Sequence, residues 1–209
     1  MTSTNRTALS LLYQEREGEI GGRLAEFSAV PEAEYFYELV YCLLTPQSSA
    51  RNADAVVHAL KARDFEHQPI DPEPILRSRE HYIRFHRTKS GHLIRLKQEY
   101  AEVLDKIAGE MAAQNLRDWL AKNVKGLGLK EATHFLRNIG RNGDLAILDR
   151  HILRNLVRHG VIRGIPKTLT KKHYLRIEKR FQLFASELKI PINELDLLFW
   201  SMETGEVRK

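Results

Sequence analysis

Residues 124–140 read VKGLGLKEATHFLRNIG, and this run limits what the chain can fold into more than any other. Gly126 and Gly128 stand two apart. Upstream lies LRDWLAKNV, and downstream Leu129, Ala132, Leu136 and Ile139 form a helical stripe, with Gly140 placed to cap its end. The spacing predicts helix, tight hairpin, helix. Glycine suits such a hairpin because it tolerates positive φ and, lacking Cβ, lets backbone approach a ligand closely. The second helix opens with N–H groups that have no intrahelical partner, and such an end attracts anions. A short αα turn with no ligand uses the same residues, and G-x-G alone does not separate the two readings.

The same period runs through the rest of the chain. PEAEYFYELVYCLLT sets Phe36, Leu39, Val40, Leu43 and Leu44 at i, i+3, i+4, i+7 and i+8, the stripe of a buried helix. Thr45-Pro46 ends it, since proline disfavours helical geometry in the residue before it. Ser48 or Ser49 caps a following helix through Val56, Val57 and Leu60. PIDPEP at 69–74 is a connection. One helix from about Ser90 carries Leu93, Ile94 and Leu96, and another carries Leu116, Trp119 and Leu120. NELDLLFWSM puts Leu195, Leu198, Phe199 and Met202 on one face. No segment alternates as a strand does, so the expected class is all-α.

Charge is spread unevenly. The chain holds 33 Lys+Arg against 27 Asp+Glu, a formal net charge of +6. The first 40 residues have three arginines against seven glutamates, net −4. The stretch 77–97 nets +6 and the stretch 150–180 nets +9. Solvated helix faces account for charge runs in many proteins, but two dense blocks flanking the hairpin suggest a polyanionic partner. Charge alone does not choose among DNA, RNA and anionic lipid. No run of about 18 apolar residues occurs, so no membrane partner is expected. The opening MTSTNRTALSLLYQEREGEI has no apolar stretch before its charges, so no secretory signal is expected. Cys42 is the only cysteine. One cysteine cannot build a disulfide framework, a four-cysteine zinc site or an iron–sulfur site, and it suits a reducing cytoplasm. The nine histidines show no metal-ligand spacing, so no transition metal is expected.

Two residues suggest chemistry. Lys130 falls in the first turn of the second helix, where the positive end of the dipole disfavours a cation. Burial there would leave some neutral amine, a nucleophile. Contact with phosphate is its plainer role. Asp149, in LAILDRHILRNLVRHG, follows an apolar run and opens a helix ending at Gly160. It is a natural N-cap, and it also fixes a carboxylate at a helix end. Arg150, Arg154 and Arg158 recur every four residues behind it as a basic stripe.

VKGLGLKEATHFL, followed nineteen residues after Lys130 by Asp149, resembles the helix-hairpin-helix DNA glycosylases. Their pattern is roughly hydrophobic-Pro-Gly-x-Gly-x-Lys-x-Ala, then a catalytic Asp. LLTPQSSARNADAVVHAL resembles the family's helix end with a Gln before the next helix. FHRTKSGHLIRLKQEY is similar to its segment pairing an aromatic with a lysine, and NELDLLFWSMETGEVRK resembles the end of the type 2 8-oxoguanine DNA glycosylases, which close on a lysine as this chain does at Lys209. The likeness covers most of residues 35–209. Lys125 stands where the hairpin proline is usual, so that proline's packing role does not carry over. The missing cysteine cluster excludes the iron–sulfur branch, and there is no room for the extra N-terminal β domain of the eukaryotic type.

The resemblance implies a bifunctional glycosylase and lyase that flips 8-oxoguanine out of duplex DNA. Lys130 attacks C1′, Asp149 stabilises developing positive charge, and β-elimination cuts the strand 3′ to the lesion. The terminal carboxylate of Lys209 accepts from N7–H, which 8-oxoguanine has and guanine lacks. Phe85 and Trp200 sandwich the flipped base, or else pack in the core. Gln47 fills the hole left behind or touches the opposite strand. Gly126, Gly128, Arg150 and Arg154 hold phosphate, and the carbonyls of Val124 and Leu127 hold a monovalent cation as in relatives. No other cofactor is expected. His134 is read as packing or surface. The implied fold is two helical subdomains, about 31–141 and about 1–30 with 142–209, with Lys130 and Asp149 on either side of a DNA-binding cleft. The expected protein is a cytoplasmic, nucleoid-associated monomer. Two alternatives stay open. A glycosylase for oxidised pyrimidines or mismatches is disfavoured by Lys209 and the absent cysteine cluster. A non-catalytic hairpin module is disfavoured by Lys130 with Asp149.

Overall fold

The computed structural model describes residues 3–207. Its elements are α1 (Ser3–Ser28), a 3-10 turn (Glu32–Glu34), α2 (Tyr35–Leu44), α3 (Ala50–Lys61), α4 (Glu73–Leu76), α5 (His86–Ala108), α6 (Ala113–Asn123), α7 (Leu129–Asn138), α8 (Arg150–Arg158), α9 (Lys171–Leu188) and α10 (Ile192–Thr204). No strand occurs among the described residues. The chain forms two compact units, one of residues 30–135 and one of residues 1–29 with 136–209.

In the unit 30–135, α2 is apolar nearly all round. Phe36, Tyr37, Leu39, Val40, Tyr41, Cys42, Leu43 and Leu44 are all buried, so the expected single stripe understates it. α3 and α5 pack on it. Phe36 meets the rings of Tyr37, Phe65 and Tyr100 at 5.2, 6.1 and 5.0 Å. Each such side chain removed from water contributes roughly 1.5–3 kcal/mol.

Two local expectations need correction. Thr45 keeps helical dihedrals (φ −64°, ψ −31°) in front of Pro46. The helix ends there because Pro46 has no N–H to continue the ladder, not because Thr45 leaves the helical region. α5 starts at His86, ahead of Ser90, and Ile94 is exposed. Its N-cap is Phe85 in the left-handed region with no side-chain cap, so the sequence carries no start signal. Of the two serines that could cap α3, Ser49 does so, its hydroxyl accepting from Asn52 N at 3.1 Å.

In the other unit, α10 packs on α1, α8 and α9. Phe199 lies between the rings of Phe181 (5.8 Å) and His159 (5.3 Å), nearly parallel to both. Arg137 and Asp196 form an ion pair at 3.3 Å with both side chains buried. Removing either partner would strand a charge, at a cost of about 3–5 kcal/mol. Gly140 ends α7 at φ +68°, and a Cβ there would stand 2.6 Å from Ser28 Cα. α1 is anchored sparsely, through Leu9, Ile20 and Phe27.

Candidate active site

The hairpin joins α6 to α7 as the spacing predicts. Val124 N closes α6 on Leu120 O, and Leu127 N turns back to Val124 O at 3.2 Å. The Val124 and Leu127 side chains are buried, which anchors the turn. Gly126 sits at φ +99°, and a Cβ there would meet His92 Nδ1 at 2.4 Å and Leu43 Cδ2 at 2.9 Å. Only glycine fits both the torsion and the space. Burial, followed by the nearby cations Lys125, Arg95 and Lys89, holds the His92 imidazole below its usual range, so it stays neutral at pH 7. Sequence reasoning did not single out His92.

Gly128 differs from expectation. Its φ is not positive, and its N–H donates to Glu131 Oε2 at 3.2 Å. A side chain three residues on therefore caps this N–H, which was expected to be open to phosphate. Any anion at the hairpin must share that donor with Glu131 or use its neighbours.

Lys130 is the second residue of α7, its side chain 24% exposed. Its Nζ lies 3.6 Å from Glu131 Oε1. Glu131 thus touches both the hairpin N–H and the lysine, and it is the second residue that sequence reasoning missed. His134 is buried against the ring of Tyr41 at 5.7 Å, as packing.

A second lysine in this unit is buried. Lys89 is 6% exposed, and burial pulls its ammonium down to about 8. A lowered lysine is ordinarily the first nucleophile to consider. Geometry argues otherwise. Its three N–H groups donate to Leu44 O (2.7 Å), Pro46 O (2.7 Å) and Ser48 Oγ (3.2 Å). It is a structural clamp at the C-terminus of α2, where a cation also suits the dipole. Gln47, inside the clamped loop, is exposed at φ +57°. Phe85 is 49% exposed at φ +60°, with the Arg84 guanidinium 4.9 Å above its ring. The basic block 77–97 is partly consumed within the fold: Arg87 reaches Glu73 at 3.5 Å and Arg95 reaches Glu99 at 2.9 Å.

Asp149 belongs to the other unit and is the expected N-cap. Its Oδ1 accepts from Ile152 N at 2.8 Å, which leaves Oδ2 for other work. The segment before it is latched by three α9 side chains four residues apart. Gln182 donates to Asp144 O (2.9 Å), Glu178 accepts from Ala146 N (2.9 Å), and the Tyr174 hydroxyl donates to Ala146 O (2.5 Å) and accepts from Leu148 N (3.3 Å). Leu145 to Leu148 are buried beneath this latch. The i, i+4, i+8 spacing was visible in sequence, but the basic residues around it drew attention instead.

The residue after Arg150 brings another expected residue into this neighbourhood. His151 meets the Trp200 ring edge-on at 6.1 Å, so Trp200, half-buried on α10, lies at the start of α8. Arg150 and Arg154 are exposed, whereas Arg158 is tied to Asn155 and to Glu203 at 3.2 Å. Lys209 lies outside the described residues. No group of three His, Cys, Asp or Glu side chains that could hold a metal ion occurs among the described residues.

The family model for 8-oxoguanine DNA glycosylase matches residues 20–190. An 8-oxoguanine DNA glycosylase/AP lyase of Fusobacterium nucleatum is 39% identical over 207 residues, spanning 95% of this chain and 94% of the relative. The crystal structure of the Methanocaldococcus jannaschii 8-oxoguanine DNA glycosylase superposes with a TM-score of 0.86 at 31% identity, covering 99% of this chain and 96% of that one. The same organism's 8-oxoguanine glycosylase/lyase, in complex with a 15mer DNA containing 8-oxoguanine, matches with a TM-score of 0.84 at 31% identity, over 97% and 100% of the two chains.

Proposed function

Since the chain belongs to the 8-oxoguanine DNA glycosylase family, we infer that it excises 8-oxoguanine from duplex DNA and cleaves the abasic site it leaves. The observation that carries the residue assignment is Lys130 on the first turn of α7, directly behind the Gly126 hairpin.

The Lys130 amine attacks C1′ of the flipped nucleotide. An N–C1′ bond forms, the bond from C1′ to the base nitrogen breaks, and the base leaves with that electron pair and takes a proton. The amine sheds its proton as the sugar ring opens to a Schiff base. The Asp149 carboxylate stabilises the positive charge developing on the sugar, using the oxygen its cap bond leaves over. Loss of a C2′ proton then expels the 3′ phosphate by β-elimination, and water releases Lys130. Glu131, 3.6 Å from Lys130 Nζ, is the neighbouring carboxylate that can receive the ammonium proton.

Phe85 and Trp200 stack on the extruded base, and the Lys209 carboxylate accepts from its N7–H. Gln47 occupies the vacated stack or meets the opposite strand. Gly126, Arg150 and Arg154 contact phosphate, and the Gly128 N–H does so in place of its bond to Glu131 Oε2. The carbonyls of Val124 and Leu127 are proposed ligands for a monovalent cation, which would supply positive charge at the hairpin. The Val124 carbonyl fits, because its bond from Leu127 N uses only one of its two lone pairs. The protein is proposed to act as a monomer on nucleoid DNA in the cytoplasm. No described helix is long and apolar enough to cross a membrane.

The test is a panel of duplexes carrying 8-oxoguanine, oxidised pyrimidines, mismatches or undamaged guanine. Strand cleavage confined to 8-oxoguanine is expected, with selectivity over guanine weakened when Lys209 is removed. Preferential cleavage at another lesion would overturn the substrate assignment.

A further inference from the structure

We propose that Lys89 and Ser48 are positioning residues that lock Gln47 and Phe85 into a single DNA-contacting edge. This rests on the roles given above to Gln47 and Phe85, and it adds that the two act as one unit with a buried hub.

Gln47 and Phe85 lie thirty-eight residues apart in sequence, yet both are exposed and both hold left-handed backbone, at φ +57° and +60°. Neither side chain favours that region, least of all phenylalanine. Strained conformations persist only where their surroundings over-determine them, and they gather at functional sites. Ser48 supplies the common constraint. Its Oγ accepts from Arg84 N at 3.1 Å and from Lys89 Nζ at 3.2 Å. One bond fixes the residue beside Phe85 and the serine itself adjoins Gln47. Lys89 then fastens the hub to the body of the unit through Leu44 O and Pro46 O. A second tie, Asn52 Nδ2 to Tyr82 O at 3.0 Å, holds the Phe85 segment against the start of α3.

Packing alone does not ask for a lysine at position 89. Its neighbours Ser90, Leu93 and Leu96 are buried on the same helix, and leucine or methionine would suit that environment. What an apolar side chain cannot do is satisfy two carbonyls and a hydroxyl at once. The clamp also lies within electrostatic reach of the hairpin: Glu131 favours the Lys89 charge and Lys130 opposes it. The edge and the proposed nucleophile thus belong to one unit, and the edge's task would be to fill the place in the stack that the extruded base leaves.

The test is a mutant cycle on 8-oxoguanine duplexes with each of the four bases opposite the lesion. Affinity and single-turnover excision are measured for Lys89→Met, Ser48→Ala, Gln47→Ala, Phe85→Ala and their combinations, with thermal denaturation alongside. Misplacement of about 1 Å at a contacting residue can cost on the order of 100-fold, so Lys89→Met is expected to lose about 10- to 100-fold. Its opposite-base ranking should shift in the same direction as that of Gln47→Ala. In the Gln47→Ala/Phe85→Ala double background it should cost no more than about 2-fold, because both positioned residues are already gone. Should Lys89→Met fail to fold, Ser48→Ala in that double background gives the same cycle. Full additivity, an equal loss against every opposite base, or no effect of Gln47→Ala and Phe85→Ala would each overturn the proposal. Borohydride trapping of the unmodified protein keeps the two levels apart. A trapped protein with an additive cycle rejects only the edge, whereas a protein that is not trapped rejects the lyase reading itself.

Discussion

Asp149 carries two roles that one substitution separates. Its Oδ1 caps α8 by accepting from Ile152 N at 2.8 Å, and its charge is assigned to the reaction. Asparagine caps helices about as well as aspartate and has an amide oxygen to place where Oδ1 stands. Asp149→Asn should therefore change stability by only a few tenths of a kcal/mol, which for a chain of this size moves Tm by about 1 °C. The charge is lost outright. Removing one group that stabilises transition-state charge typically costs ~100- to 1,000-fold in rate. Asp149→Ala removes both functions, and should add about 1 kcal/mol of destabilisation, or roughly 2–4 °C, to the same rate loss. The assay is single-turnover cleavage of 8-oxoguanine duplex beside a thermal melt. If Asp149→Asn cleaves at near unmodified rates, the carboxylate is a cap and nothing more. If it melts several degrees lower, asparagine does not reproduce the cap and the carboxylate charge itself stabilises the helix.

Three further outcomes follow from the same geometry. Tyr174→Phe leaves Ala146 O and Leu148 N without their shared hydroxyl, so urea denaturation should show a loss of about 2–4 kcal/mol, with single-turnover cleavage falling as the Asp149 segment loosens; unchanged stability would show the latch to be ornamental. Gly126→Ala forces a Cβ to 2.4 Å from His92 Nδ1 at φ +99°, and should weaken duplex binding and lower Tm. His92→Ala added to it should restore only part, since the torsion remains strained. Lys89 sets a pH dependence: its folded value of about 8 lies below the 10.5 of an ordinary lysine, so the unfolded chain binds more protons between those values. Stability from this group therefore rises with pH from about 8 to 10.5, at up to ~1.4 kcal/mol per pH unit. Comparing unmodified and Lys89→Met proteins by urea denaturation at pH 7.5 and 9.5 should show that rise only in the former; parallel curves would refute it.

Much of this was legible before the fold was known, for a physical reason. The stripe through Phe36 and Leu44, a serine cap at 48 or 49, the Gly126 turn and the Asp149 cap are local signals, readable within a turn or two of helix. α1 was not legible, because Leu9, Ile20 and Phe27 are its buried apolar anchors across 26 residues. α9 was obscured differently. Tyr174, Ile177, Phe181 and Phe184 make a proper stripe, but Lys171, Lys172, Arg176, Lys179 and Arg180 make the segment read as charge first. The deepest miss is Lys89. Within a basic block it reads as one more cation for a polyanionic partner, and only the loop folded over it, supplying two carbonyls and a hydroxyl, makes it a buried clamp. Backbone strain at Gln47 and Phe85, and the Glu131 carboxylate on Gly128 N, likewise depend on torsions and partners that composition does not record.

In the proposed mechanism Lys130, not the buried Lys89, forms the covalent bond to DNA. Borohydride reduction during turnover on an 8-oxoguanine duplex, followed by peptide mapping of the adduct, tests it most directly. A stable protein–DNA adduct mapped to Lys130 is expected, absent from Lys130→Gln and still formed by Lys89→Met. An adduct retained in Lys130→Gln, or mapped to Lys89, would contradict it.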